Sequence, residues 1–300
     1  MALDTLTPET PEIKPRPAEA RPPKGRKSMW LLLLPMLVVF AAGFALPLLN
    51  VARFSLDRFD AAQGGQVPAW SMEQFLAVFS NELYRELIFR TFGLALATTL
   101  ISIVLCYPLA LAVTRGPRRL RGILMAVVMT PLMVSVVVKT FGWSVLLSGD
   151  GILQQALNAT GLDIRLLFTP VGVTIGLVHT YMPFMALSLI AALAAIDRRT
   201  EEAATSLGSP PFKVFLKVTL PQTVNGLAAG SVLTFVTSMS ALVTPQLLGG
   251  GRVSTIVTAI YDQATSGQNW PLASALGVVL LIITFIMLSL QALAVRRATN

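Results

Sequence analysis

Few side chains in this sequence could do chemistry, and many of them sit in one place. The stretch Glu201 to Pro221, EEAATSLGSPPFKVFLKVTLP, carries two adjacent carboxylates, Glu201 and Glu202, and two ammonium groups, Lys213 and Lys217. Elsewhere the reactive types are isolated. His179 is the one histidine and Cys106 the one cysteine. A metal site needs several convergent ligands, and neither residue has a partner nearby in sequence. No G-x-x-x-x-G-K-[ST] loop is present to cradle phosphates. The nearest approach, GGGRVST from Gly249 to Thr255, lacks the lysine. There is also no G-x-S-x-G elbow and no H-E-x-x-H pair. The residues therefore offer no catalytic centre, no metal site and no call for a cofactor.

The polar stretch has the grammar of helix, break, helix. Thr200 is a candidate N-cap, and Glu201 and Glu202 place negative charge in the first turn, where the helix dipole favours it. Ala203 and Ala204 are strong helix formers with almost no bulk. Gly208 supplies a stop in the left-handed region. Ser209 is a candidate cap for a second helix, with Pro210 at its first position. Phe212, Phe215 and Leu216 then share one face and Lys213 and Lys217 another, a pattern suited to a membrane surface. Leu220 and Pro221 close the segment. Local physics leaves two readings open: a short docking helix for another protein, or a capped two-helix loop with no partner.

The elements that position this insert are apolar. Hydrophobic residues make up 54% of the 300, charged residues 13%, and the mean hydropathy is +0.70. Runs of about 20 apolar residues, long enough to cross a bilayer as helices, are expected at 29–51, 88–113, 122–147, 170–196, 222–248 and 271–295. This is an all-α transmembrane architecture of six helices, with the insert at 197–221. Residues 1–28, with six prolines and almost nothing to bury, read as a disordered tail. The outer loop after the first span carries Gly64 and Gly65, followed by a candidate amphipathic helix from Ser71 to Glu86.

With both termini inside, 16 Lys and Arg fall on the inner side and six on the outer. The positive-inside rule therefore places both termini and the insert in the cytoplasm. The same rule accounts for the net charge of +8 without invoking nucleic acid. No Asp or Glu lies inside the spans away from their ends, which argues against coupling to protons or sodium. Lys139, in the third expected span, either snorkels to the outer interface or lines a pathway. His179, in LVHTYMPF with Tyr181, is either a hydrogen-bonded packing residue or part of that pathway. Cys106 reads as an inert packing residue.

The spacing Glu202-Ala203-Ala204, three residues, Gly208, nine residues, Val218, one residue, Leu220-Pro221 resembles the EAA signature of bacterial ABC importer permeases. Its one departure is Val218, where isoleucine is commonest. The resemblance implies a type I importer permease in the bacterial inner membrane. It also implies that Glu202, Ala203, Ala204, Gly208, Leu220 and Pro221 belong to a coupling loop that docks on a separate ATPase subunit. The segments TPLMVSVVVKTFGWSVLL, HTYMPFMALSLIAAL and LVTPQLLGGG are similar to those of spermidine/putrescine-type permeases. That implies a second permease subunit, a periplasmic solute-binding protein and a small organic cargo, with opines or amino-acid derivatives as the alternative. An ATP-independent secondary carrier is the competing class.

Overall fold

The computed structural model describes residues 26–60, 65–161 and 164–299, with side chains described for 33–60, 65–161 and 164–293. The expected tail therefore lies almost wholly outside the described residues, as does Gly64. Helix α1 (Arg26–Phe40) already begins at Arg26. Two units divide the chain, one up to Leu49 and one from Asn50 onward. In the first, a π-helical turn (Ala41–Ala45) follows α1 and leads into α2 (Leu46–Phe54). Pro47, which lacks an N–H, sits just beyond that turn, a local reason for the ladder to slip by one residue.

The second unit takes in the end of α2 and then a two-stranded hairpin, β1 (Arg58–Asp60) and β2 (Gly65–Val67), antiparallel with Arg58 opposite Val67. The expected helix 71–86 is instead two helices. Helix α3 (Glu73–Ser80) stops at Asn81, whose side chain accepts from the Leu83 amide at 2.9 Å and starts α4 (Glu82–Arg115). Residues 82–87 thus belong to the long span rather than to a surface helix.

Helices α4, α8 (Pro170–Ala195) and α12 (Val224–Met239) pack on one another and form the heart of the unit. Their closeness has a sequence cause. A Cβ at Gly226 would lie 2.3 Å from the Ala192 Cβ, so only glycine allows α12 so near α8. Near the end that bears the insert, Tyr107, Ala110 and Val113 of α4 meet Met185, Leu189 and Leu193 of α8. Toward the other end, Leu94 meets Val173 and Leu177.

Two expected spans are broken. Residues 122–147 form α5 (Arg118–Met133) and α6 (Val136–Leu147), interrupted at Val134 and Ser135. Val128 of α5 packs in the cluster at the insert end and Leu147 of α6 in the far one, so the two halves are stacked along the same direction. Residues 222–248 form α12 and α13 (Val243–Gly249), bent by 59°. Pro245 explains this break, because its ring opposes the carbonyl four residues back. The second halves meet: Thr140 and Thr244, both buried, lie 3.2 Å apart at their hydroxyls. Beyond them come α14 (Ile256–Thr265) and α15 (Trp270–Thr299); between α6 and α8 lies α7 (Ile152–Ala159). Among the described residues, five helical stretches are long and apolar enough to cross a membrane, and the bent pair makes a sixth when taken as one.

Candidate functional site: the polar insert

The first helix of the insert, α9 (Arg198–Ser206), is capped by Asp197 rather than by Thr200. The Asp197 carboxylate accepts from the Arg199 amide at 3.0 Å. An ionised cap three residues earlier outcompetes the hydroxyl, because charge and the orphan amides of the first turn favour it together. Thr200 instead turns its hydroxyl back to the Asp197 carbonyl at 2.8 Å.

The helix ends as its sequence dictates. Gly208 has φ +82°, its amide donates to the Thr205 carbonyl at 2.9 Å, and the Ser209 amide reaches the Ala204 carbonyl at 3.2 Å. This pair of bonds is the Schellman closure. Ser209 does not cap the next helix. Pro210 occupies that position and Pro211 begins α10 (Pro211–Val214), since two consecutive prolines hold the chain extended one residue longer than expected. A π-helical turn, Phe215–Thr219, then leads into the single-turn helix α11 (Leu220–Gln222).

The two faces of α9 differ. None of its residues is buried. Glu202 and Ala203 are exposed, Ala204 is half-buried, and Leu207 just beyond stands 87% exposed. Glu201 faces the bundle. Its Oε1 accepts from Arg115 Nη2 at 3.0 Å and from the Thr219 hydroxyl at 2.9 Å. Arg198 donates to the Thr114 carbonyl and Arg121 to the Val113 carbonyl at 2.9 Å, so two guanidinium groups cap the last turn of α4.

The second half of the insert is tied to the same helix. Val214 is buried, and the Phe215 ring meets Tyr107 edge-on at 5.1 Å. Phe215 thus leaves the face expected for it, while Phe212 is 70% exposed and Leu216 is also exposed. Leu220 packs on the cluster at the insert end and Pro221 is exposed. The Tyr107 hydroxyl lies 2.6 Å from that of Thr223, which in turn reaches the Leu220 carbonyl at 2.9 Å. Sequence reasoning read the helix through Glu202, Ala203 and Ala204 and its stop at Gly208 from their local grammar. It missed Glu201 with Arg115, and Tyr107 with Thr223, because those partners are far apart in the chain and no periodicity joins them.

The other candidates lie elsewhere. Lys139 does not snorkel outward; its ammonium donates to the Pro131 carbonyl at 2.7 Å, across the break between α5 and α6. It satisfies an acceptor that the interrupted helix would otherwise leave open. His179 stands edge-on to Trp143 at 5.5 Å, and among the described residues its buried Nδ1 has no partner. Tyr181 is half-buried and stacks near Phe184 at 6.5 Å. Cys106 is fully buried, with its thiol near the Met182 carbonyl at 3.4 Å. A cavity of about 720 Å³ forms an apolar groove between α4, α6 and α8 that includes Trp143 and His179, with Arg90 as its charged residue. Among the described residues no group of three or more His, Cys, Asp or Glu could hold a metal.

The chain is thus a set of long apolar helices that presents a short, firmly capped helix from a polar insert. Residues 106–300 match the family described as binding-protein-dependent transport system inner membrane component, and the chain belongs to that family. It is the permease of a binding-protein-dependent ABC importer, a multi-pass inner-membrane protein. Permeases of this kind work with ATPase subunits and a periplasmic binding protein. The chain is 30% identical over 221 residues to the spermidine/putrescine transport system permease protein PotB of Haemophilus influenzae, covering 73% of this chain and 77% of that one. It is 29% identical to PotB of Escherichia coli K12, covering 86% and 91%. It is also 29% identical to the inner membrane ABC transporter permease protein YdcU of the same organism, covering 87% and 88%. Among solved structures, a permease chain of a bacterial alginate ABC transporter in complex with a pentasaccharide-bound periplasmic protein superposes with a TM-score of 0.75. The identity is 19%, over 92% of this chain and 96% of that one, so the likeness concerns the fold.

Proposed function

We propose that the insert is the loop through which this permease couples to its ATPase subunit. Glu202, Ala203, Ala204 and Gly208 form the docking helix, and Leu220 and Pro221 its anchor. The observation that carries this reading is the exposed Glu202–Ala203 face on a helix whose opposite face is tied to the bundle. A nine-residue helix without a buried residue of its own gains little from its exposed face unless something covers it. ATP hydrolysis then resides in the partner, and this chain supplies half of the pathway beside a second permease subunit.

The test uses the importer assembled with its ATPase. Ala203→Asp adds bulk and charge to the docking face. Gly208→Val places a β-branched residue at φ +82°, a cost of about 1–2 kcal/mol at the helix stop. Both should leave the permease inserted at wild-type abundance while releasing the ATPase subunit or abolishing stimulated hydrolysis. Wild-type attachment and hydrolysis in both would overturn the assignment.

The cargo reading is a polyamine-type solute, supported by the likeness to PotB proteins over most of the chain. The apolar groove offers no carboxylate to a polycation, so selectivity is assigned to the binding protein. Both termini and the insert are assigned to the cytoplasm on the excess of Lys and Arg there. Single cysteines replacing Gly149 and Ser266 should react with an impermeant thiol reagent from the periplasm, and one replacing Ser206 should not. The reverse pattern would invert the topology.

A further inference from the structure

We propose that Glu201 is the positioning residue that makes α9 and α4 move as one body. The inference rests on the docking reading above and concerns the opposite face of the same helix. Since α9 buries nothing, its own attachment to the bundle is polar. Glu201 is the centre of that attachment, receiving Arg115 from the last turn of α4 and Thr219 from the π-helical turn on a single oxygen. Its side chain is 20% exposed and that of Arg115 22%, so the pair is shielded from water on most sides. A partly desolvated, charge-assisted contact is stiffer and more costly to break than a surface ion pair.

The direction of the link matters. Among the described residues, Arg115 Nε is buried without a partner, so the guanidinium depends on Glu201 for its orientation. Arg198, also on α9, holds the Thr114 carbonyl one residue earlier. Two adjacent residues at the end of α4 are thus held from one helix. Helix α4 runs 34 residues through the unit, and Gly93, Leu94, Ala97, Ile101 and Leu105 along it line the large groove. A displacement of α9 by a partner on the Glu202 face therefore reaches the groove through Glu201 and α4. Successive helix residues are about 100° apart, which is how two adjacent acids serve different neighbours.

The test places spin labels at Ser206→Cys on α9 and Leu96→Cys on the exposed side of α4, in the importer assembled with its ATPase. Cys106 is buried and does not compete for label. With wild-type Glu201 the distance distribution should keep one sharp maximum both without nucleotide and in the vanadate-trapped state. Glu201→Ala should lose that maximum while the ATPase stays attached, because the docking face is untouched. Glu201→Gln keeps an acceptor for Thr219 but not the ion pair, and should lie between the two. The exchanged pair Glu201→Arg with Arg115→Glu should restore the maximum, and covers the case in which Glu201→Ala fails to assemble. An unchanged maximum in both Glu201→Ala and Glu201→Gln would overturn this proposal while leaving the docking reading intact. An ATPase that stays attached and active in Ala203→Asp and Gly208→Val would overturn the docking reading instead.

Discussion

Two carboxylates of this molecule, one buried and one half-buried, are wired differently. Asp57, beside the hairpin, is 3% exposed and takes donors from Arg53, from the Gln66 amide at 2.6 Å and from the Ala69 backbone at 2.9 Å. Its partners all lie within twelve residues. Glu201 takes its donors from residues 86 and 18 positions away. The first arrangement closes a loop on itself, and Arg53 completes it by lying 4.5 Å over the Trp70 ring. The second joins separate elements. A local closure can stabilise its segment without informing the rest of the chain, whereas a long-range joint must carry whatever one element does to the other.

That contrast predicts that damage at the two carboxylates will separate stability from coupling. Asp57→Ala strips the acceptor from the half-buried Gln66 amide and Ala69 backbone, while Arg53 keeps the Ala69 carbonyl at 2.9 Å, and an unsatisfied donor costs about 1–3 kcal/mol when buried. The purified importer should lose several degrees of melting temperature, yet the ATPase should remain attached and stimulated hydrolysis should persist. A variant that melts like wild type would remove Asp57 from the role of staple. One that loses ATPase attachment at normal stability would erase the contrast with Glu201.

The pH dependence sharpens the same point. Burial pushes the Asp57 carboxyl up, but the Ala69 amide, Gln66 and Arg53 outweigh it and hold the group below its ordinary value of 3.8. A carboxylate depressed in the folded state contributes stability that is fully present above the unfolded value. That contribution is lost as pH falls through the folded one. Wild type should therefore lose melting temperature more steeply than Asp57→Asn below about pH 4. Parallel slopes would mean that the charge of Asp57 contributes nothing.

How far these features were legible in the sequence follows from the same division. The α9 stop was readable at Gly208, because a left-handed helix end asks for glycine locally. The apolar runs announced the long helices α4, α8 and α15, since length and composition suffice for a bilayer crossing. The prolines were only half readable. Pro108 and Pro183 sit within unbroken helices, while Pro131 and Pro245 lie beside breaks. What separates the cases is tertiary: Lys139 supplies a donor to the Pro131 carbonyl across its break, and Thr140 meets Thr244 where the two broken segments touch. No local pattern encodes either contact. Glu201 was hidden for the same reason, as its neighbour Glu202 carries the same charge and an equally good place in the first helical turn.

The smallest expected effect tests the second joint between the insert and α4. The Thr223 hydroxyl spends its one proton on the Leu220 carbonyl, so Tyr107 must be the donor in the 2.6 Å contact between them. Tyr107→Phe removes that donor but keeps the ring against Phe215. The loss is one neutral hydrogen bond, about 1 kcal/mol. Thr223→Val should cost more. It strands the buried Tyr107 hydroxyl without an acceptor and also strips the bond to Leu220. Thermal unfolding of the two variants should rank them in that order, with Tyr107→Phe closer to wild type. If Tyr107→Phe proves the more damaging, the hydroxyl is serving another acceptor, and the insert is held to α4 through Glu201, Arg198 and Phe215 without help from Thr223.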